Sequence, residues 1–136
     1  MDPDESTTPR QKTVLIVEDH ADTAEMLSLI LESEGYCTQT ATTANEAVKI
    51  LSSGAAEQID VVLLDLTLPD MSGEDVIQCL KQSCVSVPPV LIMSAKQASS
   101  LSDAARAIGA AGIIRKPFDI QVLLESIQSE LNKRPQ

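Results

Sequence analysis

Three short stretches, "VLIV" at 14–17, "VVLL" at 61–64 and "VLIM" at 90–93, are apolar throughout and show no polar alternation. A strand with one wet face alternates. A continuous Val/Ile/Leu/Met run is what a strand looks like when both its faces are buried, as in a parallel sheet covered by helices. Between and after these runs lie segments of helical period, at 22–34, 43–53, 73–83, 99–108 and 119–132. Two further short stretches, "YCTQT" and "GIIR", complete five strand-helix units. "YCTQT" does alternate, which suits a sheet edge. Five alternating units with three doubly buried strands predict an α/β fold: a doubly wound, five-stranded parallel sheet in strand order 2-1-3-4-5, with helices on both faces.

A chain of 136 residues, 43% of them hydrophobic, has the size and the apolar content for one domain with a real core. Residues 1–11 carry two prolines and several acidic and hydroxyl side chains without apolar periodicity, so they are expected to form a flexible leader, with the folded domain spanning 12–133. Helix boundaries have local support. Thr43 followed by Glu46 reads as a capping box, and Ser72 with Asp75 as a weaker one. Asp119 is a suitable cap for the last helix, whose Ile120, Leu123, Leu124, Ile127 and Leu131 fall on one stripe.

The formal net charge of -10 disfavours direct binding to nucleic acid or to an anionic membrane surface, both of which attract Lys and Arg. No apolar run approaches a membrane span, and "MDPDESTTPRQK" is unlike a signal peptide, so a cytoplasmic location is expected. Cys37, Cys79 and Cys84 form no CxxC pair and are read as reduced packing thiols.

In a doubly wound sheet, ligands bind beyond the carboxyl ends of the strands, where the winding reverses. The residues leaving the inner strands are therefore the candidates: Glu18 and Asp19 after the first, Asp65 and then Thr67 after the third, Ser94 after the fourth, Lys116 after the fifth. Any one of these could be a solvated cap or a surface side chain; together they gather three carboxylates, a hydroxyl and an amine on one rim. Two carboxylates about 4 Å apart repel by roughly 4 kcal/mol at an effective dielectric near 20, which calls for a nearby cation or for full solvation. Carboxylate ligands without a His or Cys cluster suit a hard ion such as Mg2+. His20, the chain's single histidine, follows the acidic pair and is read as a loop or helix-start residue, neither ligand nor base. With a cation offsetting Glu18 and Asp19, Asp65 becomes available as a nucleophile towards phosphorus, and positive charge from Lys116 with the Ser94 hydroxyl suits the phosphoryl oxygens. No glycine-rich phosphate loop is present.

These residues resemble the receiver domain of two-component response regulators, which has a flavodoxin-like fold. "VLIVEDHAD" is similar to the family's first strand and acidic pair, and "VVLLDLTLPDMSG" to its phosphoacceptor strand and loop. "PVLIMSA" is similar to the hydroxyl strand and "GIIRKPF" to the lysine strand; the likeness covers about residues 12 to 133. The resemblance implies that Asp65 accepts a phosphoryl group from a phosphohistidine on a sensor histidine kinase or histidine phosphotransfer protein. It further implies Mg2+ held directly by Asp19 and Asp65, mostly through water by Glu18, and by the Thr67 backbone carbonyl. Ser94 and Lys116 would hold the phosphoryl oxygens, and the Lys116–Pro117 bond would be cis. The added charge would draw the Ser94 hydroxyl inward and switch an output face, comprising helix 99–108 and strand 112–115, for a downstream protein target or output domain. The resemblance implies a phosphoacceptor that catalyses the transfer from its donor and its own dephosphorylation, rather than a turnover enzyme.

One departure from the family pattern concerns the switch. Three residues before the lysine, where many receivers carry an aromatic, stands Ile113; Tyr36 and Phe118 are the only aromatics in the chain. The expected coupling runs through Ser94 and the 94–100 loop. Two other readings compete. A haloacid-dehalogenase-like phosphatase also uses an Asp nucleophile with Mg2+, but commonly has a second Asp two residues on, where this chain has Thr67. A receiver-like interaction module that is not phosphorylated would have no use for the full set Glu18, Asp19, Asp65, Ser94 and Lys116.

Overall fold

Two apolar layers, one on each face of a single sheet, organise the computed structural model, which describes residues 12–53, 58–65, 75, 78, 79, 82, 88–94, 111–115 and 119–133. The strands are β1 (Thr13–Val17), β2 (Cys37–Ala41), β3 (Val61–Asp65), β4 (Val90–Ser94) and β5 (Gly112–Arg115), all parallel in the order β2-β1-β3-β4-β5. The helices with both ends in the described residues are α1 (Ala21–Ser33), α2 (Ala44–Ser52) and α3 (Ile120–Lys133). Asp75, Gln78, Cys79 and Gln82 are also helical, within the stretch expected to be a helix. The predicted helix 99–108 lies outside the described residues.

Alternate residues of each inner strand enter different layers, which is why these strands carry polar residues only at their ends. Leu15, Val17, Val62, Leu64, Val90 and Ile92 pack with Ala44, Ala47 and Leu51 of α2. On the other face, Val14, Ile16, Val61, Leu63, Leu91 and Met93 pack with Ala24, Leu27 and Leu31 of α1 and with Leu123, Ile127 and Leu131 of α3. Strand β2 is one edge of the sheet, and of its residues only Ala41 is fully buried, in keeping with its alternating sequence.

Several boundaries have identifiable chemistry. The α1 helix ends in a Schellman arrangement: the Tyr36 amide donates to Leu31 O at 3.1 Å and the Gly35 amide to Glu32 O at 3.1 Å. Gly35 supplies the positive φ of 94° that this closure needs. Tyr36 thereby belongs to the helix end, packed against the α1 layer, and β2 begins one residue later than "YCTQT" suggests. At the start of α2, the Glu46 amide donates to Thr43 Oγ1 at 3.1 Å, but the Glu46 carboxylate accepts from the Thr42 amide at 2.7 Å, one residue before the cap. Asp119 Oδ1 accepts from the Gln121 amide at 2.7 Å, capping α3 as expected. Ser72, proposed as a cap for the helix containing Asp75, lies outside the described residues.

Two expectations require correction. Cys37 is exposed on an edge strand and is not a packing thiol; Cys79 is half-buried, neither is in a disulfide, and Cys84 lies outside the described residues. Ile120 is 47% exposed because it sits in the first turn of α3, ahead of the point where the helix meets the sheet, while Leu123, Ile127 and Leu131 carry the buried stripe. Among the described residues, no helix is long and apolar enough to cross a membrane.

Candidate functional site

The acidic rim follows from strand register. Val17 of β1 pairs with Leu64 of β3, so the next residue of each, Glu18 and Asp65, leave the two central strands side by side. The Glu18 amide continues the ladder by donating to Ala41 O at 3.0 Å. Both residues also continue the parity of Val14, Ile16, Val61 and Leu63, so their side chains emerge on the face covered by α1 and α3. Adjacent strands are about 4.8 Å apart. Register and parity together therefore bring two carboxylates into contact range.

Glu18 is fully buried and Asp65 is 2% exposed, which is unusual for carboxylates. Asp19 turns into the same space from the loop that leads into α1. One ligand-capable atom from each of Glu18, Asp19, His20 and Asp65 lies within 4.8 Å of all the others. Among the described residues, the buried Oδ1 atom of Asp19 accepts no hydrogen bond; His20 Nδ1 is 3.3 Å away but outside hydrogen-bonding geometry. Glu18 Oε2 is better served, with the His20 amide at 3.3 Å and His20 Nδ1 at 3.1 Å. The amino end of α1 adds its partial positive charge beside these carboxylates.

The structure thus brings together three of the predicted site residues, Glu18, Asp19 and Asp65. Ser94 closes β4 one position beyond Met93, which pairs with Asp65, so its backbone reaches the same rim. Thr67, Lys116 and the Ser94 side chain lie outside the described residues, as do the 95–100 loop and Pro117. Ile113 of β5 pairs with Ile92 and packs, half-buried, against the α2 layer. The residue that the sequence reading set aside is His20. It does occupy the cap position of α1, as a helix-start residue should, but its side chain makes no cap bond and its ring turns to the carboxylates instead. Its adjacency to the acidic pair was the available signal.

The family model of the response regulator receiver domain matches residues 14–128. The chain belongs to this family. As a receiver it is 32% identical over 120 residues to the cell cycle transcriptional regulator CtrA of Caulobacter vibrioides, covering 88% of this chain and 50% of that protein. It is 33% identical over 111 residues to the response regulator SaeR of Staphylococcus epidermidis, covering 82% and 46%. The chain spans about half the length of these curated relatives. Among solved structures, a CheY-like receiver domain protein from Methanospirillum hungatei superposes with a TM-score of 0.80 at 28% identity, covering 91% of this receiver and 96% of that chain. The chemotaxis protein CheY4 of Vibrio cholerae gives a TM-score of 0.79 at 28% identity, covering 90% and 100%.

Proposed function

We propose that this receiver accepts a phosphoryl group on Asp65 from a phosphohistidine of a sensor histidine kinase or histidine phosphotransfer protein, with Mg2+ bound at the acidic rim. The observation that carries this reading is the meeting of three carboxylates, with Asp19 Oδ1 buried and, among the described residues, without a hydrogen-bond donor. A buried carboxylate oxygen with no donor is costly unless a cation completes it, so the donor set fits a hard divalent ion. Asp19 and Asp65, with Glu18 and the Thr67 carbonyl, would hold the ion. When bound, Mg2+ supplies positive charge to the carboxylates and to the equatorial phosphoryl oxygens.

The residues then have distinct tasks. An Asp65 carboxylate oxygen attacks phosphorus, forming the O–P bond of an acyl phosphate as the N–P bond of the donor breaks; the imidazole leaves and takes up a proton. The Ser94 hydroxyl and the Lys116 ammonium hold the phosphoryl oxygens. Phosphoryl transfer asks little else of a protein than alignment and positive charge. Attack by water on the same phosphorus returns Asp65 and inorganic phosphate. The phosphoryl group carries about -1.5 to -2 charge in place of the single charge of the carboxylate, and the change at Ser94 and the 94–100 loop passes to the 99–108 and 112–115 output face, read by a downstream protein or output domain.

The receiver domain is taken as 12–133 following a leader of 1–11, acting in the cytoplasm. Although a relative such as CtrA is named a transcriptional regulator, we assign no nucleic-acid contact to this portion, whose net charge of -10 opposes a phosphate backbone. The test is intact-mass analysis after incubation with Mg2+ and acetyl phosphate. Wild type gains one phosphoryl group and Asp65→Asn gains none; equal gain by both proteins rejects Asp65 as the acceptor.

A further inference from the structure

We infer that His20 is a nitrogen ligand to the cation at this rim, shifting the preference of the site from Mg2+ towards first-row transition ions. The inference rests on the cation reading given above and adds to it a donor that an all-oxygen site lacks. Three observations carry it. His20 occupies the cap position of α1 but does not cap the helix. Its Nδ1 lies 3.1 Å from Glu18 Oε2 and 3.3 Å from Asp19 Oδ1, so the ring nitrogen, and not merely the ring, is aimed between the two carboxylates. Its ligand atom falls with those of Glu18, Asp19 and Asp65 inside one 4.8 Å cluster.

That span is close to the size of a small coordination sphere. Ligands on opposite sides of an octahedral ion with bonds of about 2.1 Å are about 4.2 Å apart, so the four atoms need to move only slightly to enclose one. The His20 side chain is 73% exposed, so it can adjust without disturbing the core. Its neighbour Asp19 Oδ1 is buried and, among the described residues, without a hydrogen-bond donor, so a cation there would serve both. Imidazole suits ions from iron to zinc, whereas carboxylate and water suit Mg2+, and affinity rises along the series from Mn2+ to Cu2+. A nitrogen donor therefore strengthens binding of Co2+ or Ni2+ more than that of Mg2+.

The test uses the full chain and the metal ions alone. Mn2+ bound to wild type is expected to show 14N modulation from a coordinated imidazole in pulsed electron paramagnetic resonance, and His20→Ala to bind Mn2+ without it. In competition against bound Mn2+, the Co2+ to Mg2+ affinity ratio is expected to fall by about tenfold in His20→Ala, a loss of the size seen when groups supporting a metal ligand are removed. Mn2+ binding by wild type without 14N modulation, or an unchanged ratio in the variant, overturns the role of His20 and leaves the carboxylate site standing. Failure of wild type to bind Mn2+ at all overturns both the cation site and this inference. Because His20 is exposed, the variant is expected to fold, and far-ultraviolet circular dichroism matching wild type checks this.

Discussion

Replacing Asp65 by Asn should make the ion-free protein more stable, although Asp65 is almost completely buried. Its carboxylate shares a cluster no more than 4.8 Å across with those of Glu18 and Asp19. At that separation, each like-charge pair costs about 3.5 kcal/mol at an effective dielectric of ~20. Three effects reduce the gain. Asp19 is 29% exposed and thus partly screened, the amino end of α1 offsets some charge, and Asp65 has interactions of its own that Asn replaces imperfectly. A net stabilisation of about 1–3 kcal/mol remains, or a rise in Tm of roughly 3–5 °C per kcal/mol for a domain of this size. Urea unfolding in EDTA measures it. Mg2+ should then stabilise wild type, by about 2.7 kcal/mol at a hundred times its dissociation constant, and stabilise Asp65→Asn much less. If Asp65→Asn is no more stable than wild type in EDTA, the carboxylates are not in electrostatic conflict, and the argument for a cation fails with that result.

Other expectations can be checked on the same protein. Gly35→Ala should lower stability by about 1–2 kcal/mol in urea unfolding, since a Cβ at φ 94° is strained although open space surrounds it; a neutral result would mean that the α1 closure re-forms another way. Tyr36 has its phenol raised above 10, first by burial and then by the charge of Glu34. The native state thus holds that proton more tightly than the unfolded chain, and its stability relative to the unfolded state is retained below pH 10 and lost as pH rises through the native value. Tyr36 is the only tyrosine and there is no tryptophan, so tyrosinate absorbance reports it alone; a native midpoint at or below that in urea would contradict this account. Leu27→Ala, at a fully buried position between α1 and the sheet, should cost about 2–5 kcal/mol in the same unfolding assay, and a loss under 1 kcal/mol would show that this layer repacks freely.

The strand order was legible in the sequence because burial on two faces and burial on one leave different patterns. Val14–Val17, Val61–Leu64 and Val90–Met93 had to be central, and Cys37–Ala41, with its Thr and Gln residues, had to be an edge. The end of α1 was harder to place. Tyr36 reads as a β-former, yet its amide is committed to Leu31 O, a bond that exists only once Gly35 adopts its positive φ. Cys37 was misjudged for a related reason: cysteine is commonly buried, but Cys37 opens an edge strand of which only Ala41 is fully buried. Local propensity lost to position in both cases. His20 shows the same limit within the site, since a loop side chain chooses its rotamer from neighbours that a one-dimensional pattern does not display.

The carboxylates of the site are set in place by residues that do no chemistry. Glu18 meets Asp65 because Val17 pairs with Leu64 and because both acids continue the parity of the layer containing Val14 and Val61. A slip of one residue between β1 and β3 would send their side chains to opposite faces of the sheet. It would equally expose one face's apolar set to the wrong helices, so the cost of misplacing the site is the cost of misplacing the core. Each inner-strand side chain that fills a layer therefore also holds the acids in register, and the mutual repulsion of Glu18, Asp19 and Asp65 is opposed by the burial of whole strands. The rim can carry like charges at close range because the strands that deliver them cannot shift apart without exposing Leu15, Ile16, Leu63 and Leu64, all of them at most 1% exposed.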